Sequence, residues 1–205
     1  MKITEVSPQK NNPNRVSVYS DGEYVFSLDA VDAVVLGIKA GREISEKELN
    51  NLLFESRFGK AKAKALDILS RKNVTSRMLT NELSSKGYDE AVVCEVINEL
   101  ESLGYIDDYS FAVMYMEQAI EKLWGKKKIV YELTQKGVDI NVIEDALEEI
   151  ELPGAEELVE CIARKYGGED IEDYKTKQRI TRFFASRGFD FSVINDAINL
   201  YIKKD

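Results

Sequence analysis

Three stretches decide the fold: MLTNELSSKGYDEAVVCEVINEL from Met78 to Leu100, KIVYELTQKGVDINVIEDALEEI from Lys128 to Ile150, and RITRFFASRGFDFSVINDAINLY from Arg179 to Tyr201. They align without a gap at offsets of 50 and 51 residues. The first and second share seven identical positions, as do the second and third. A repeat of this period marks stacked supersecondary units rather than one undivided core. It predicts an elongated, curved array whose neighbours share apolar surface.

Each copy reads as two helices around a tight turn. Leu79 and Leu83, Ile129 and Leu133, and Ile180 and Phe184 stand four apart and make one apolar stripe on a short helix. A basic residue and a glycine follow, as Lys86-Gly87, Lys136-Gly137 and Arg187-Gly188. Glycine suits the left-handed residue that ends a helix, and the cation suits the negative end of the dipole. Next come Tyr88, Val138 or Phe189 and then Asp89, Asp139 or Asp190, an aspartate able to accept from the free N–H groups of a new helix. That helix carries apolar residues at i, i+1, i+4, i+5 and i+8: Val92, Val93, Val96, Ile97 and Leu100 in the first copy. A further helix precedes each pair, over Lys62 to Lys72, Asp108 to Leu123 and Ala155 to Tyr166. The chain therefore divides into residues 1–60 and three three-helix modules over 61–106, 107–153 and 154–205, with Pro153-Gly154 the clearest joint.

The first 60 residues follow another rule. Ile3 to Val6, Val16 to Tyr19 and Tyr24 to Leu28 are short β-branched or aromatic runs. The tract Pro8 to Asn14 separates the first two, and Asp21-Gly22 sits in a turn between the second and third. A small antiparallel sheet is expected, followed by helices near Asp29 to Leu36 and Ser45 to Glu55. Ser45 and Glu48 form a capping box on the second. Three strands are marginal alone, so the sheet should rest on those helices.

Composition narrows the chemistry. No apolar run approaches the roughly 20 residues that cross a membrane, and no signal peptide is expected, so a cytoplasmic protein is predicted. Cys94 and Cys161 fall in different modules, and Cys94 aligns with Glu144 and Asn195, so reduced, passive thiols are expected. The chain has no histidine, which removes the commonest general base and metal ligand. Tyr166-Gly167-Gly168 fits neither a phosphate loop nor a dinucleotide fingerprint. An enzyme, a cofactor and a metal are therefore not expected.

Charge is uneven. Of the net −9, residues 107–153 carry −6, from five lysines against eleven acids. Glu144, Asp145, Glu148 and Glu149 make an acidic face there. Lys126, Lys127 and Lys128 form a basic run beside Trp124, the single tryptophan. The third module clusters Lys175, Lys177, Arg179, Arg182 and Arg187. The bland reading is solvated faces and dipole partners. The functional reading is an acidic face meeting a basic protein while the basic runs touch phosphate. A dedicated DNA binder is usually basic overall, so a protein partner that itself carries DNA fits better.

The residues Glu82-Leu83, Lys86-Gly87, Leu100, Leu103 to Asp108, Phe111-Ala112, Gly125, Ile129, Glu132-Leu133 and Lys136 to Val138 stand in the order and spacing of a known core motif. In them the chain resembles the RecX regulatory proteins, bacterial modulators of the recombinase RecA. It departs from them in the acidity of module two and in the segment from Gly167 to Lys175, which lengthens module three. The resemblance implies a non-catalytic protein that lodges in the groove of the RecA–DNA filament, touches DNA mainly through it, and slows ATP hydrolysis, filament growth and strand exchange; nothing in the residues demands a dimer, so a monomer is expected. A repeated binder suits a repeated epitope.

Within that reading Gly104 to Asp108 is the joint between modules one and two. Tyr105 and Ile106 are expected to pack. Asp107 and Asp108 cap the next helix or hold the bend, and Phe111 and Ala112 are core. Gly87, Gly137 and Gly188 are structural. The partner-binding candidates are Trp124, Lys126 to Lys128 and the acidic face; the phosphate candidates are the five basic residues of module three. Two other classes stay open. Tandem helix-turn-helix units could bind DNA directly, although the acidic third helix of module two is a poor recognition helix. A helical scaffold for another protein would share the fold.

Overall fold

Strand β2 (Asn12–Ser20) turns Val16 and Val18 to one side, where both are buried. It lies between β1 (Ile3–Gln9) and β3 (Glu23–Asp29) in an antiparallel sheet of order β1-β2-β3. Val18 pairs with Val6 on one side and Phe26 on the other, and Val16 pairs with Leu28. Asp21 (φ 51) and Gly22 (φ 85) both take left-handed φ, the two-residue turn that matches strand twist. The first hairpin is tighter than expected, because the strands run into the Pro8–Asn14 tract and leave only Lys10 and Asn11 as the turn. Pro8 is accommodated because β1 is an edge strand and a register shift falls at Pro8/Gln9. The computed structural model describes residues 1–204.

Helix α1 (Ala30–Val35) and the following loop close over the sheet. Ile3, Val16, Val18, Leu28, Ala33, Ile38, Ile44 and Leu49 form one buried cluster. The two expected helices that follow are one, α2 (Glu46–Leu69), 24 residues long and capped by Ser45 through Glu48 N. Nothing between Ser56 and Ala61 stops it. That interval holds no proline, Gly59 costs about 1 kcal/mol in a helix but does not end one, and Phe54 stacks on Phe58 one turn later at 6.3 Å. Ala61, Ala65 and Ile68 continue the buried face begun by Leu49.

The repeats fold as their spacing predicts. Their helix pairs are α3 (Ser76–Ser85) with α4 (Glu90–Ser102), α6 (Lys126–Gln135) with α7 (Ile140–Glu149), and α9 (Tyr174–Ala185) with α10 (Phe191–Lys204). Helices α5 (Asp108–Glu121) and α8 (Ala155–Tyr166) precede the second and third pairs. All residues of the predicted stripe in the first copy are buried, from Leu79 and Leu83 to Leu100. The second module buries Phe111, Ala112, Met116, Ile129, Leu133 and Ile143 together, each large side chain contributing about 1.5–3 kcal/mol. The third buries Leu158, Ile162, Ile180, Phe184 and Ile194.

The described residues divide into two compact units: residues 1–70 with 82–98, and residues 71–81 with the chain from Glu99 onward. Both cysteines are free, Cys94 exposed and Cys161 buried. No helix among the described residues is long and apolar enough to cross a membrane.

Candidate functional site

Helix α5 ends at Glu121, and Leu123, with a φ of 55, turns the chain back so that Trp124 N donates to Ala119 O at 3.0 Å. The turn sets the indole edge-on to Tyr115, ring centres 6.4 Å apart. Lys128 Nζ sits 4.0 Å from the indole centre and Lys122 Nζ 5.7 Å from it, while Lys136 lies 5.1 Å from the Tyr115 ring. Burial pushes the Tyr115 hydroxyl above its usual pKa. Two of the three lysines of the basic run therefore have partners within the chain: Lys128 on Trp124, and Lys127, although exposed, in an ion pair with Asp190. Lys126 is exposed.

The surroundings of Lys127 show a joint between modules that the sequence did not reveal. Gly125, the N-cap of α6, donates its N–H to Arg187 O at 2.8 Å, and Lys127 N donates to Gly188 O at 3.2 Å. The approach is close enough that a Cβ on Gly125 would stand 2.6 Å from Gly188 C. The same joint recurs one module earlier, at positions 50 and 51 residues lower. Thr75, fully buried, donates Oγ1 to Lys136 O at 2.6 Å and caps α3 by accepting from Met78 N. Arg77 lies against Gly137, where a Cβ would stand 2.5 Å from the arginine Cβ. In both cases the glycine turn ending one module's middle helix seats the first turn of the preceding module's middle helix. Gly137 (φ 83) and Gly188 (φ 85) hold that turn in the left-handed region, so two demands, conformation and space, require glycine.

The adjacent aspartates divide the work. Asp107 is the N-cap of α5, accepting from Tyr109 N, Ser110 N and Ser110 Oγ. The Ser110 bonds first, with the Tyr109 N–H, hold its carboxyl below the usual range despite some burial. Asp108 reaches the other way and accepts from Ser76 N and Ser76 Oγ, both at 2.8 Å, so it fastens the start of α3 to the start of α5. Ile106 is buried, but Tyr105 is 59% exposed rather than packed, because Gly104 (φ 72) turns the chain outward. Phe111 and Ala112 are core. Of the three repeated aspartates Asp139 caps its helix through Asn141 N, whereas Asp89 pairs instead with Arg57 and Asp190 with Lys127.

Glu144, Asp145, Glu148 and Glu149 lie exposed along α7, and the Glu149 hydrogen bond pushes the Tyr109 hydroxyl up. In module three Arg179 pairs with Glu169 at 2.6 Å, Arg187 lies 3.8 Å from the centre of Phe183, and Arg182 reaches Gln178. Lys175 is exposed and Lys177 half-buried. The basic cluster thus begins on one helix, α9, and ends at the joint. Asp173 caps α9 through Lys175 N and Thr176 N. Among the described residues no group of acids, cysteines or histidines is arranged to hold a metal. The arrangement offers charged and aromatic side chains on helices held by a repeated joint.

Comparison with known proteins places this architecture. The regulatory protein RecX N-terminal domain matches residues 1–45, and the first, second and third RecX three-helix domains match residues 61–100, 107–147 and 155–198. The regulatory protein RecX of Caldanaerobacter subterraneus is 30% identical over 200 residues, 98% of this chain and 100% of that one. That of Clostridium tetani is 30% identical over 208 residues, 100% of this chain and 96% of its own. A crystal structure of regulatory protein RecX superposes with a TM-score of 0.64 at 25% identity, over 97% of this chain and 98% of that one. RecX from Lactobacillus salivarius superposes at 0.62, over 73% and 99%. Matched in order through the N-terminal domain and all three helical domains, and along the whole length of its relatives, the chain belongs to the RecX family of regulatory proteins.

Proposed function

We propose that this protein is a non-catalytic regulator of RecA that binds along the RecA–DNA filament and inhibits ATP hydrolysis, filament growth and strand exchange, and so modulates recombination and DNA repair in the cytoplasm. The observation that carries this reading is the recurrence of one joint between successive modules, at Thr75/Lys136 and at Gly125/Arg187. A joint that repeats presents the same surface at regular intervals, which suits a partner that is itself a polymer of identical subunits. Each contact then raises the effective concentration of the next. Inhibition requires tighter binding to one filament state than another, since equal affinity shifts nothing.

The working units are residues 1–60, 61–106, 107–153 and 154–205, acting as a monomer. Trp124, Lys126 and the acidic face of α7 are the partner contacts, and Lys175, Lys177, Arg179, Arg182 and Arg187 approach phosphate, with DNA reached mainly through the filament. A second reading, direct binding of nucleic acid, draws support from the cations on aromatic rings at Trp124 and Phe183. The test is DNA-dependent ATP hydrolysis by RecA of the same organism, titrated with this protein, beside binding to bare DNA at the same salt. Inhibition at substoichiometric ratios with weak bare-DNA binding is the expected result. Tight bare-DNA binding without any effect on hydrolysis would overturn it in favour of the second reading.

A further inference from the structure

The repeated joint defines a socket, and the chain holds three copies of it. Two are filled. Around Gly137 the occupant is the first turn of α3, and around Gly188 the first turn of α6. The occupants share their chemistry. Each is a helix N-terminus with a basic second residue, Arg77 or Lys127, and an N-cap that donates a hydrogen bond to the carbonyl preceding the glycine. In the third module's socket the basic residue also pairs with the aspartate two positions after the glycine, Asp190.

The copy in module one has the same parts and no such occupant. Gly87 takes φ 86, and Lys86, Tyr88 and Asp89 surround it in the repeat order. A Cβ on Gly87 would meet nothing within 4 Å, against contacts within 2.6 Å at the filled sockets. Among the described residues no hydrogen bond is made to the Lys86 carbonyl. A cleft of about 300 Å³ opens over the turn, walled by Arg15, Ser27 and Asp29 of the sheet and by Ser56, Arg57 and Lys60 of α2. Asp89 is held by Arg57 at 2.6 Å, but both side chains are more than half exposed, so the exchange of one cation for another costs little.

We propose that the Gly87 cleft is a docking site for the N-terminal turn of a helix on a partner protein, one with lysine or arginine as its second residue and a donor rather than a carboxylate at its N-cap. The incoming cation takes Asp89 from Arg57, and the N-cap donor takes the Lys86 carbonyl. A second copy of this chain is a poor occupant. Its α3 and α6 turns are already seated, and α9 begins three residues before the repeat position Thr176, on Asp173. There the side chain is an acceptor, and the backbone N–H already donates to Asp170 O. The inference rests on the reading of the chain as a protein-binding regulator and adds where one contact lies and what the partner brings to it.

The experiment uses the full chain, isotope-labelled, and a peptide of the chain's own sequence from Trp124 to Gln135, held helical by a staple on its solvent face. Saturable amide shifts at Gly87 to Asp89 and Lys60 are expected, weakened several-fold by Asp89→Lys and strengthened by Arg57→Ala. A peptide with aspartate in place of its N-cap glycine should bind more weakly. Shifts that are absent there, or indifferent to both substitutions, would overturn the proposal. ATP hydrolysis by RecA, measured on the same variants, separates the two readings. A silent cleft with intact inhibition removes the docking site alone; a responsive cleft without inhibition removes the RecA reading alone.

Discussion

Gly87, Gly137 and Gly188 share a backbone conformation but not a neighbourhood, so one substitution made three times measures the joint. Alanine at Gly87 meets open space and costs only the left-handed backbone, about 1 kcal/mol. At Gly188 the same cost is joined by a collision with Lys128, whose Cβ lies 2.6 Å from the new carbon and whose backbone must shift. That shift breaks the Gly125 N–Arg187 O and Lys127 N–Gly188 O bonds, each worth about 1 kcal/mol. The expected total is about 3 kcal/mol at Gly188 against about 1 at Gly87, with Gly137 between, where Arg77 is a more yielding neighbour than backbone. For a chain of this size those figures lower Tm by about 9 °C and about 3 °C. Urea unfolding followed through Trp124 fluorescence gives the stabilities, and amide exchange at Gly125 and Lys127 reads the joint itself. Equal losses at all three glycines, or unchanged exchange at Gly125 in Gly188→Ala, would refute the reasoning.

Asp107→Ala should cost about 1 kcal/mol through the lost cap. Because the folded carboxyl titrates below its ordinary 3.8, that advantage is complete above this pH and shrinks as pH falls below it, so the Tm gap to wild type should close in acid. A gap independent of pH would contradict the cap. Asp108→Ala leaves Ser76 N and Ser76 Oγ without their acceptor, at about 1–3 kcal/mol, and should hasten exchange at Ser76; unaltered exchange would discount the tie. Lys127→Glu places like charges together at Asp190, costing under about 1 kcal/mol on this exposed surface. Adding Asp190→Lys should restore it, and a double-mutant cycle without coupling would count against the pair.

Much of this was legible in the residues, and the exceptions share a cause. The helix pairs followed from apolar spacing, because burial selects one face of each helix and leaves the pattern in the sequence. The continuity of α2 is not legible because a capping box announces a helix start, while nothing in Glu55 to Lys62 announces whether it stops, and Gly59 is only a weak spot there. Asp107 and Asp108 could be named as helix-end residues, but which one caps and which one reaches Ser76 depends on a partner 32 residues away. Tyr105 is expected to pack within the joint, and the left-handed Gly104 sends it outward. The joint was hidden more deeply. Its donors are a backbone N–H at Gly125 and a hydroxyl at Thr75, so the equivalent positions carry different residues for one purpose. The small residues at 75 and 125, aligned through the repeat, were the available signal. A basic run beside Trp124 marks Lys126 to Lys128 as partner candidates, but the pattern does not distinguish a lysine facing solvent from one lying on its own tryptophan.

The joint also has a consequence for how the chain is made. Each helix closes on residues near in sequence, but each joint ties positions about 60 apart, Thr75 to Lys136 and Gly125 to Arg187. At a synthesis rate of about 5–20 residues per second, the carbonyl that Gly125 needs follows it by about 3–12 s. Modules thus acquire their helices in order from the ribosome while the last-made joint is still open. Contacts that close after the rate-limiting step govern how fast a protein comes apart rather than how fast it forms. The turn at Gly188 is then a latch on lifetime: loosening it should quicken unfolding and leave the folding limb nearly untouched, and a slowed folding limb in Gly188→Ala would show that the latch closes early.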